Sequence, residues 1–163
     1  MSSCADAVGS MSVTYRSLTA SDHDFCVQVH HLAMRSYVEP LWGWDQALQD
    51  RLALDFTTHE DPCHEIALVD DAPIGFLSYQ RRPDRIYLNK LYLHPNFHGK
   101  GFGSQILLRM IRHADATATP IELSVLTTNV RARAFYERHG FLTLKATPER
   151  VLMRRAVGAP LPA

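Results

Sequence analysis

The chain has 163 residues, 46% of them hydrophobic and 21% charged, and its 17 basic and 17 acidic residues cancel. This length and composition are typical of one globular domain with its own hydrophobic core. Positive charge is neither in excess nor clustered, which argues against nucleic-acid binding, and no apolar run is long enough to cross a membrane.

The two ends of the chain are expected to lie outside the folded domain. We predict a flexible leader over residues 1–10, a single domain over residues 11–156 and a flexible tail over residues 157–163. The leader lacks a basic segment followed by an apolar one, so no secretory signal is visible. The three cysteines are widely spaced and odd in number, which favours a reducing, cytoplasmic location over a disulfide framework.

The first part of the domain is predicted to be a strand followed by two helices. The strand spans residues 13–18, the first helix residues 21–37 and the second helix residues 44–56, with Pro40 ending the first helix. The apolar stripes of the two helices are Phe25, Val29, Leu32 and Ala33 in the first and Leu48, Leu52 and Phe56 in the second.

The rest of the domain alternates between strand and helix patterns. Strands are predicted over residues 65–69, 73–80, 85–93, 121–126, 141–146 and 150–154, and helices over residues 103–118 and 130–138. Gly140 stops the last helix at the position where glycine is preferred. The order β-α-α-β-β-β-α-β-α-β-β predicts an α/β fold with a central mixed sheet and helices on its faces.

Three alternate glycines separate a strand from the third predicted helix. Gly99, Gly101 and Gly103 either form a tight turn only or bring backbone N–H groups close to a phosphate at the start of the helix. The spacing excludes the G-x-G-x-x-G fingerprint, because positions 104 and 106 are serine and isoleucine. The G-x-x-x-x-G-K-[ST] loop is also absent.

Two motifs resemble those of one enzyme family. LYLHPNFHGKGFGSQILLRM resembles the acetyl-CoA-binding motif Q/R-x-x-G-x-G/A of the GNAT N-acetyltransferases, placed on His98, Gly101 and Gly103, with histidine replacing the usual Gln or Arg. NVRARAFYERHGF resembles their later motif N-x-x-A-x-x-x-Y-E-x-x-G-F, which starts at Asn129. The resemblance covers residues 12–155 and implies a GNAT-like fold.

The resemblance implies a site for acetyl-CoA. The implied cofactor-binding residues are Leu91, Tyr92, Leu93, His98, Gly99, Lys100, Gly101, Phe102, Gly103, Ser104, Asn129, Ala132 and Tyr136. In such a site the strand before the glycine turn bulges, and the backbone N–H of Leu91 would polarise the acetyl carbonyl. Tyr136 would protonate the leaving sulfur, because a phenol stays protonated at neutral pH. The interpretation from residues alone is a core tyrosine on an amphipathic helix.

The acceptor amine is expected at the loop between the first two helices. Its candidate binding residues are Tyr37, Glu39, Trp42, Trp44 and Asp45. Aromatic rings and carboxylates attract amines, although each tryptophan could instead fill the core or a dimer contact. The strand before the glycine turn has no carboxylate, so Glu39, Asp45 and His94 are the candidate general bases, with a water chain as the alternative.

These features lead to two hypotheses of different classes. The first is an acetyl-CoA-dependent N-acetyltransferase in which a primary amine of a small molecule or peptide attacks directly in a ternary complex. The second is a non-catalytic CoA-binding module with the same fold. His59, Cys63 and His64 lack the pairing typical of a metal site, so no metal is expected. Dimerisation is common in the family, and the sequence leaves a homodimer open.

Overall fold

The computed structural model describes residues 11–56 and 62–161. Its seven strands are β1 (Thr14–Ser17), β2 (Pro62–Val69), β3 (Ala72–Arg81), β4 (Ile86–Leu93), β5 (Ile121–Leu126), β6 (Leu142–Ala146) and β7 (Arg150–Arg155). Its four helices are α1 (His23–Trp42), α2 (Gln46–Ala53), α3 (Phe102–Ala116) and α4 (Val130–Arg138). Single 3-10 turns at Ala20–Asp22 and Pro95–Phe97 precede α1 and the glycine turn.

The strands form one mixed sheet in the order β1-β2-β3-β4-β5-β7-β6. The only parallel pair among the described strands is β4 with β5, and it holds together over three residues, Ile86–Leu88 against Ile121–Leu123. A register shift between β3 and β4 leaves Asn89 unpaired at the point where β4 leaves β5. Such a bulge bends a strand, so the two strands separate and the sheet opens between them.

The main core lies between the sheet and the helices α3 and α4. It contains Ile106, Leu107, Met110, Ile111 and Ala114 of α3, which recur at helical spacing and face the strands. A smaller cluster packs α1 on the other part of the sheet through Cys26 and Val29. This packing fixes both edges of the opening between β4 and β5.

The predicted α/β fold and element order are confirmed, and β5 and α4 have the predicted bounds. Several details of the first two helices are wrong. Pro40 lies inside α1, which continues to Trp42 and ends at Gly43, where φ is +71°. Pro40 lacks only the one N–H that would bond to residue 36, so the last turn survives. Leu32, assigned to the apolar stripe, is exposed.

The second helix is shorter than predicted, and the face that it buries is not the predicted one. It spans Gln46–Ala53, begins at its cap Asp45, and buries Gln49 and Ala53. Leu48 and Leu52, the predicted core stripe, are instead 39% and 41% exposed. The periodicity correctly identified one apolar face, but that face does not point into the core.

Two described residues after β7, within the predicted tail, make hydrogen bonds to the domain. The backbone N–H of Gly158 donates to Asp115 at 2.9 Å, and Arg155 donates to the carbonyl of Ala159. The described part of this segment therefore packs against α3 and β7. The predicted leader lies outside the described residues.

Candidate active site

A cavity of about 650 Å³ opens where β4 and β5 separate. Its walls come from the second half of α1, from α2, from the glycine turn before α3 and from α4. The separated strands therefore form the floor of a cleft that has the glycine turn at one end and the α1–α2 loop at the other.

The glycine turn presents free backbone N–H groups to this cavity. Gly99 and Gly101 have φ of +72° and +83°, and a Cβ at either position would stand in open space. Within the described part of the chain, none of the six N–H groups of residues 99–104 donates a hydrogen bond to a backbone or side-chain acceptor. Such groups at the start of a helix form an anion-binding site.

The outer half of β4 turns unpaired backbone groups toward the opening. The N–H of His94 donates to Ile74 of β3 at 2.8 Å. Because backbone groups alternate along a strand, those of Leu91 and Leu93 face away from β3, on the side that β5 has left. Their N–H and C=O groups are available to an extended ligand, apart from the Leu93 carbonyl, which accepts from Nε2 of His98 at 2.8 Å.

Helix α4 closes the other side of the opening. Oδ1 of its cap Asn129 accepts the N–H of Ala132 at 3.0 Å, which leaves the amide Nδ2 for a ligand. Tyr136, one turn further on, is 8% exposed and packs on Phe141. Burial, and then the nearby Tyr92, raise the pKa of Tyr136. Tyr136 lines the cavity, and within the described chain its protonated hydroxyl makes no hydrogen bond.

The structure brings most of the predicted cofactor residues together, with two exceptions. Phe102 is buried in the core, and Lys100 is exposed with its ammonium 5.8 Å from the Phe97 ring. The others that line the cavity are Leu91, Tyr92, Leu93, His98, Gly99, Gly101, Gly103, Ser104, Asn129, Ala132 and Tyr136. Arg131, which the motifs did not single out, lies 3.3 Å from Nδ1 of His98 and adds a positive charge at this end.

The acceptor end contains only part of the predicted set. Tyr37, Trp42 and Asp45 line the cavity. Tyr37 is held by its carbonyl, which accepts from Thr128. The carboxylate of Asp45 accepts the N–H of Leu48 at 2.9 Å and caps α2.

Glu39 and Trp44 do not line the cavity, so their predicted roles at the site are not supported. Glu39 is exposed on α1, and its carboxylate lies 3.6 Å from Arg35. Trp44 packs its ring against His31 and lies under Arg35. Glu39 on α1 and Trp44 in the α1–α2 loop are close to the predicted site in sequence, but their side chains lie outside the cavity.

Further polar residues of the cavity walls were not predicted, among them Asn89, Lys90, His30 and Arg150. Asn89 sits at the bulge with its buried Nδ2 unpaired, and Lys90 donates to the carbonyl of Asp55 at 2.8 Å. His30 of α1 is 5% exposed and joins α2 through Gln49. Arg150 begins β7, and its guanidinium lies 5.7 Å from the centroid of Trp42. Of these residues, only those at the bulge of β4 could have been found from the sequence, because the glycine motif that follows the strand implies a bulge there.

No described helix is long and apolar enough to cross a membrane. Among residues 11–56 and 62–161, no group of three His, Cys, Asp or Glu side chains could hold a metal ion. His59 lies outside these ranges.

Comparison with known proteins identifies the fold and the family. A sequence model described as the acetyltransferase (GNAT) family matches residues 26–141. An uncharacterized N-acetyltransferase of Mycobacterium tuberculosis is 35% identical over 74 residues, 44% of this chain. One from Mycobacterium bovis matches equally, and the matched region spans about half, 47%, of each relative.

Solved structures share the fold at low sequence identity. The PaiA N-acetyltransferase of Thermoplasma acidophilum, solved with coenzyme A, has a TM-score of 0.70 at 18% identity and covers 90% of this chain and 99% of its own. An acetyltransferase of Thermus thermophilus has a TM-score of 0.72 at 18% identity, covering 90% and 98%. The ribosomal-protein-S18-alanine N-acetyltransferase of Escherichia coli has a TM-score of 0.66 at 17% identity, covering 91% and 96%.

Proposed function

This chain belongs to the GNAT family of acetyltransferases, and from that premise we propose that it transfers the acetyl group of acetyl-CoA to a primary amine. One observation carries the proposal. Six consecutive N–H groups, those of residues 99–104, have no hydrogen-bond partner in the described chain, and four of these residues, Gly99, Gly101, Gly103 and Ser104, line the cavity where the sheet opens. A diphosphate satisfies such a set of donors at a helix N-terminus.

The cavity walls fit the remaining parts of coenzyme A. Arg131 adds a donor beside the glycine turn, where Nδ1 of His98 accepts from its guanidinium at 3.3 Å. The backbone groups of Leu91 and Leu93 are placed to pair with the amides of an extended pantetheine arm, as an added strand would. The amide Nδ2 of Asn129 supplies a further donor from α4. Acetyl-CoA would supply an activated acetyl thioester at the inner end of this path.

Two groups of the chain would act on the acetyl transfer itself. The N–H of Leu91 would donate to the acetyl oxygen, on which negative charge develops as the amine nitrogen bonds to the carbonyl carbon. When the carbon–sulfur bond breaks, the Tyr136 hydroxyl would give its proton to the departing sulfur. A thiol has a pKa of about 8.5, so this proton assists the step without being essential.

The proton of the attacking amine would leave through water at the open end of the cavity. Glu39 lies outside it, and Asp45 is engaged in capping α2. A free alkylamine has a pKa of about 10.4, so loss of its first proton to solvent limits the fraction that can attack near neutral pH. The rate is therefore expected to rise as the pH increases from about 7 to about 9.

Release of thiol from acetyl-CoA with a panel of primary amines tests the proposal. We expect thiol release that depends on both substrates, with mass spectrometry showing the acetylated amine. Tight binding of CoA with no turnover over the whole panel would favour the non-catalytic module, which the lack of a carboxylate on β4 also suggests. Absence of CoA binding by calorimetry would contradict both.

A further inference from the structure

Acidic and basic side chains both line the acceptor end of the cavity, the acidic ones being Asp45 and Asp55. Two cationic side chains lie there, Lys90 and Arg150. Lys90 donates to the backbone carbonyl of Asp55, and burial lowers the pKa of its ammonium although the charge of Asp55 opposes this. Asp45 already accepts the N–H of Leu48. At this end Arg150 is left to interact with a ligand, while Arg131 and Arg138 of α4 also line the cavity.

Arg150 is exposed and has no acidic partner among the described residues. Its guanidinium lies 5.7 Å from the centroid of Trp42 across the cavity mouth, and no carboxylate of residues 11–56 or 62–161 pairs with it. Arg150 itself lines the cavity. Stacking on an aromatic ring leaves the edge N–H groups of a guanidinium free for a planar anion.

A second arginine–tryptophan pair, Arg35 with Trp44, can be compared with Arg150 and Trp42. Arg35 lies 5.4 Å from the centroid of Trp44, a geometry close to that of Arg150 and Trp42. Arg35, however, has Glu39 as its ion-pair partner, and neither Arg35 nor Trp44 lines the cavity. Of these two arginines, Arg150 lines the cavity and has no ion-pair partner among the described residues, so its guanidinium N–H groups remain available to a ligand.

Apolar surface adjoins this cation. Leu48 and Leu52 lie one turn apart on the same face of α2 and remain 39% and 41% exposed, while Trp42 is 54% exposed. All three line the cavity. Their exposure gives an apolar part of a ligand a place to bind beside Arg150.

We propose that the acceptor is a primary amine that also carries a carboxylate and an apolar side group. Arg150 binds the carboxylate through its guanidinium edge, and Trp42, Leu48 and Leu52 contact the apolar group. This assignment rests on the proposed acetyl transfer. It reverses the sequence-based expectation of carboxylates that attract the amine, because Glu39 lies outside the cavity and Asp45 is engaged.

Matched amines test the charge requirement directly. Initial rates are compared for leucine and leucinamide, for phenylalanine and phenylalaninamide, and for 6-aminohexanoate and hexylamine, with aminoethyl phosphate as a second anion. For the parent chain we expect kcat/KM for a carboxylate to exceed that for its neutral counterpart roughly tenfold or more, mainly through KM. A preference for the neutral amines would overturn the proposal, and a preference for the phosphate would replace the carboxylate with another anion.

The variants Arg150→Gln and Arg35→Gln locate the effect. Arg150→Gln is expected to bring the ratio between carboxylate and amide close to one, and Arg150→Lys to restore part of it. Arg35→Gln removes the matched pair outside the cavity and is expected to leave the ratio as in the parent. If Arg150→Gln lowers kcat/KM equally for the carboxylate amines and for their neutral counterparts, a contact between Arg150 and the carboxylate is contradicted. Retained stabilisation by CoA confirms that each variant is folded.

The two proposals fail in distinguishable ways. If neither class of amine is acetylated, acetyl transfer is wrong, and calorimetry then measures binding of leucine and phenylalanine to the CoA-bound chain. Binding that Arg150→Gln abolishes would still support an anion site at the acceptor end. No binding to the parent chain would overturn it.

Discussion

The ring of Tyr136 is buried against Phe141, and its hydroxyl makes no hydrogen bond within the described chain. Tyr136→Phe is therefore expected to leave the free energy of unfolding nearly unchanged. It should lower kcat about a hundredfold, the lower end of what a general acid contributes, with little effect on KM for acetyl-CoA. Steady-state kinetics and urea unfolding of both proteins check this.

Tyr87→Phe is the control, since Tyr87 lies outside the cavity beneath Arg82. It should leave kcat unaffected. An unaltered kcat in Tyr136→Phe would instead assign the sulfur's proton to water.

His30 is a residue whose protonation opposes folding. An amide oxygen can only accept, so Nε2 of His30 donates to Gln49 at 2.9 Å, while Nδ1 is buried without a partner among the described residues. Burial lowers the pKa of His30 below its ordinary 6.5. Because the unfolded chain then binds more protons, stability is full above pH 6.5 and is lost as the pH falls toward the folded pKa.

Urea unfolding between about pH 8 and about pH 5 measures this dependence, which His30→Gln should make shallower. Burial lowers the pKa of His64 as well, so part of the slope remains in the variant. Parallel curves for the two proteins would show that His30 does not contribute.

The glycine turn is the element on which cofactor binding depends. Gly101→Val places a Cβ in the open space of the turn at φ +83° and should cost about 1–2 kcal/mol of stability from backbone strain. More importantly, it should abolish the rise in Tm that CoA produces, roughly 5–10 °C for the parent at about 100 times Kd. Differential scanning fluorimetry with and without CoA measures both effects.

Gly158 offers a matched control for this strain. Its φ is +71°, and a Cβ there would also meet open space, but it lies outside the cavity. Gly158→Val should therefore lose similar stability and keep the full response to CoA. A retained response in Gly101→Val would rule out phosphate binding at the turn.

At the scale of the whole molecule, one buried cation joins α3, β7 and the residues that follow. Arg155 is 1% exposed, pairs with Asp115 at 2.8 Å and donates to the carbonyl of Ala159. Deleting residues 157–163 removes that carbonyl and the Gly158 N–H that binds Asp115. We expect a loss of about 1–3 kcal/mol, the cost of leaving a buried polar group without a partner.

Asp115→Asn should cost more, about 3–5 kcal/mol, because it leaves the buried guanidinium without a counter-charge. Urea unfolding measures both losses. The Kd for CoA should stay the same, since these residues do not line the cavity. Unchanged stability after the deletion would show that the segment contributes nothing.

The sequence by itself determined the order of elements and the position of the glycine turn. Both depend on local chemistry: the apolar period distinguishes strand from helix, and only glycine readily adopts the positive φ found at Gly99 and Gly101. The spacing of Asn129, Ala132 and Tyr136 likewise put three residues on one face of α4.

Only the tertiary structure decided which side chains reach the cavity. Glu39 and Trp44 border the α1–α2 loop in sequence yet point away, while Leu48 and Leu52 line the cavity instead of the core. Arg150 comes to Trp42 from a strand that begins far later in the chain. Periodicity defines the faces of a helix, but the rotation of each helix and the partner it meets depend on packing between segments that are distant in sequence.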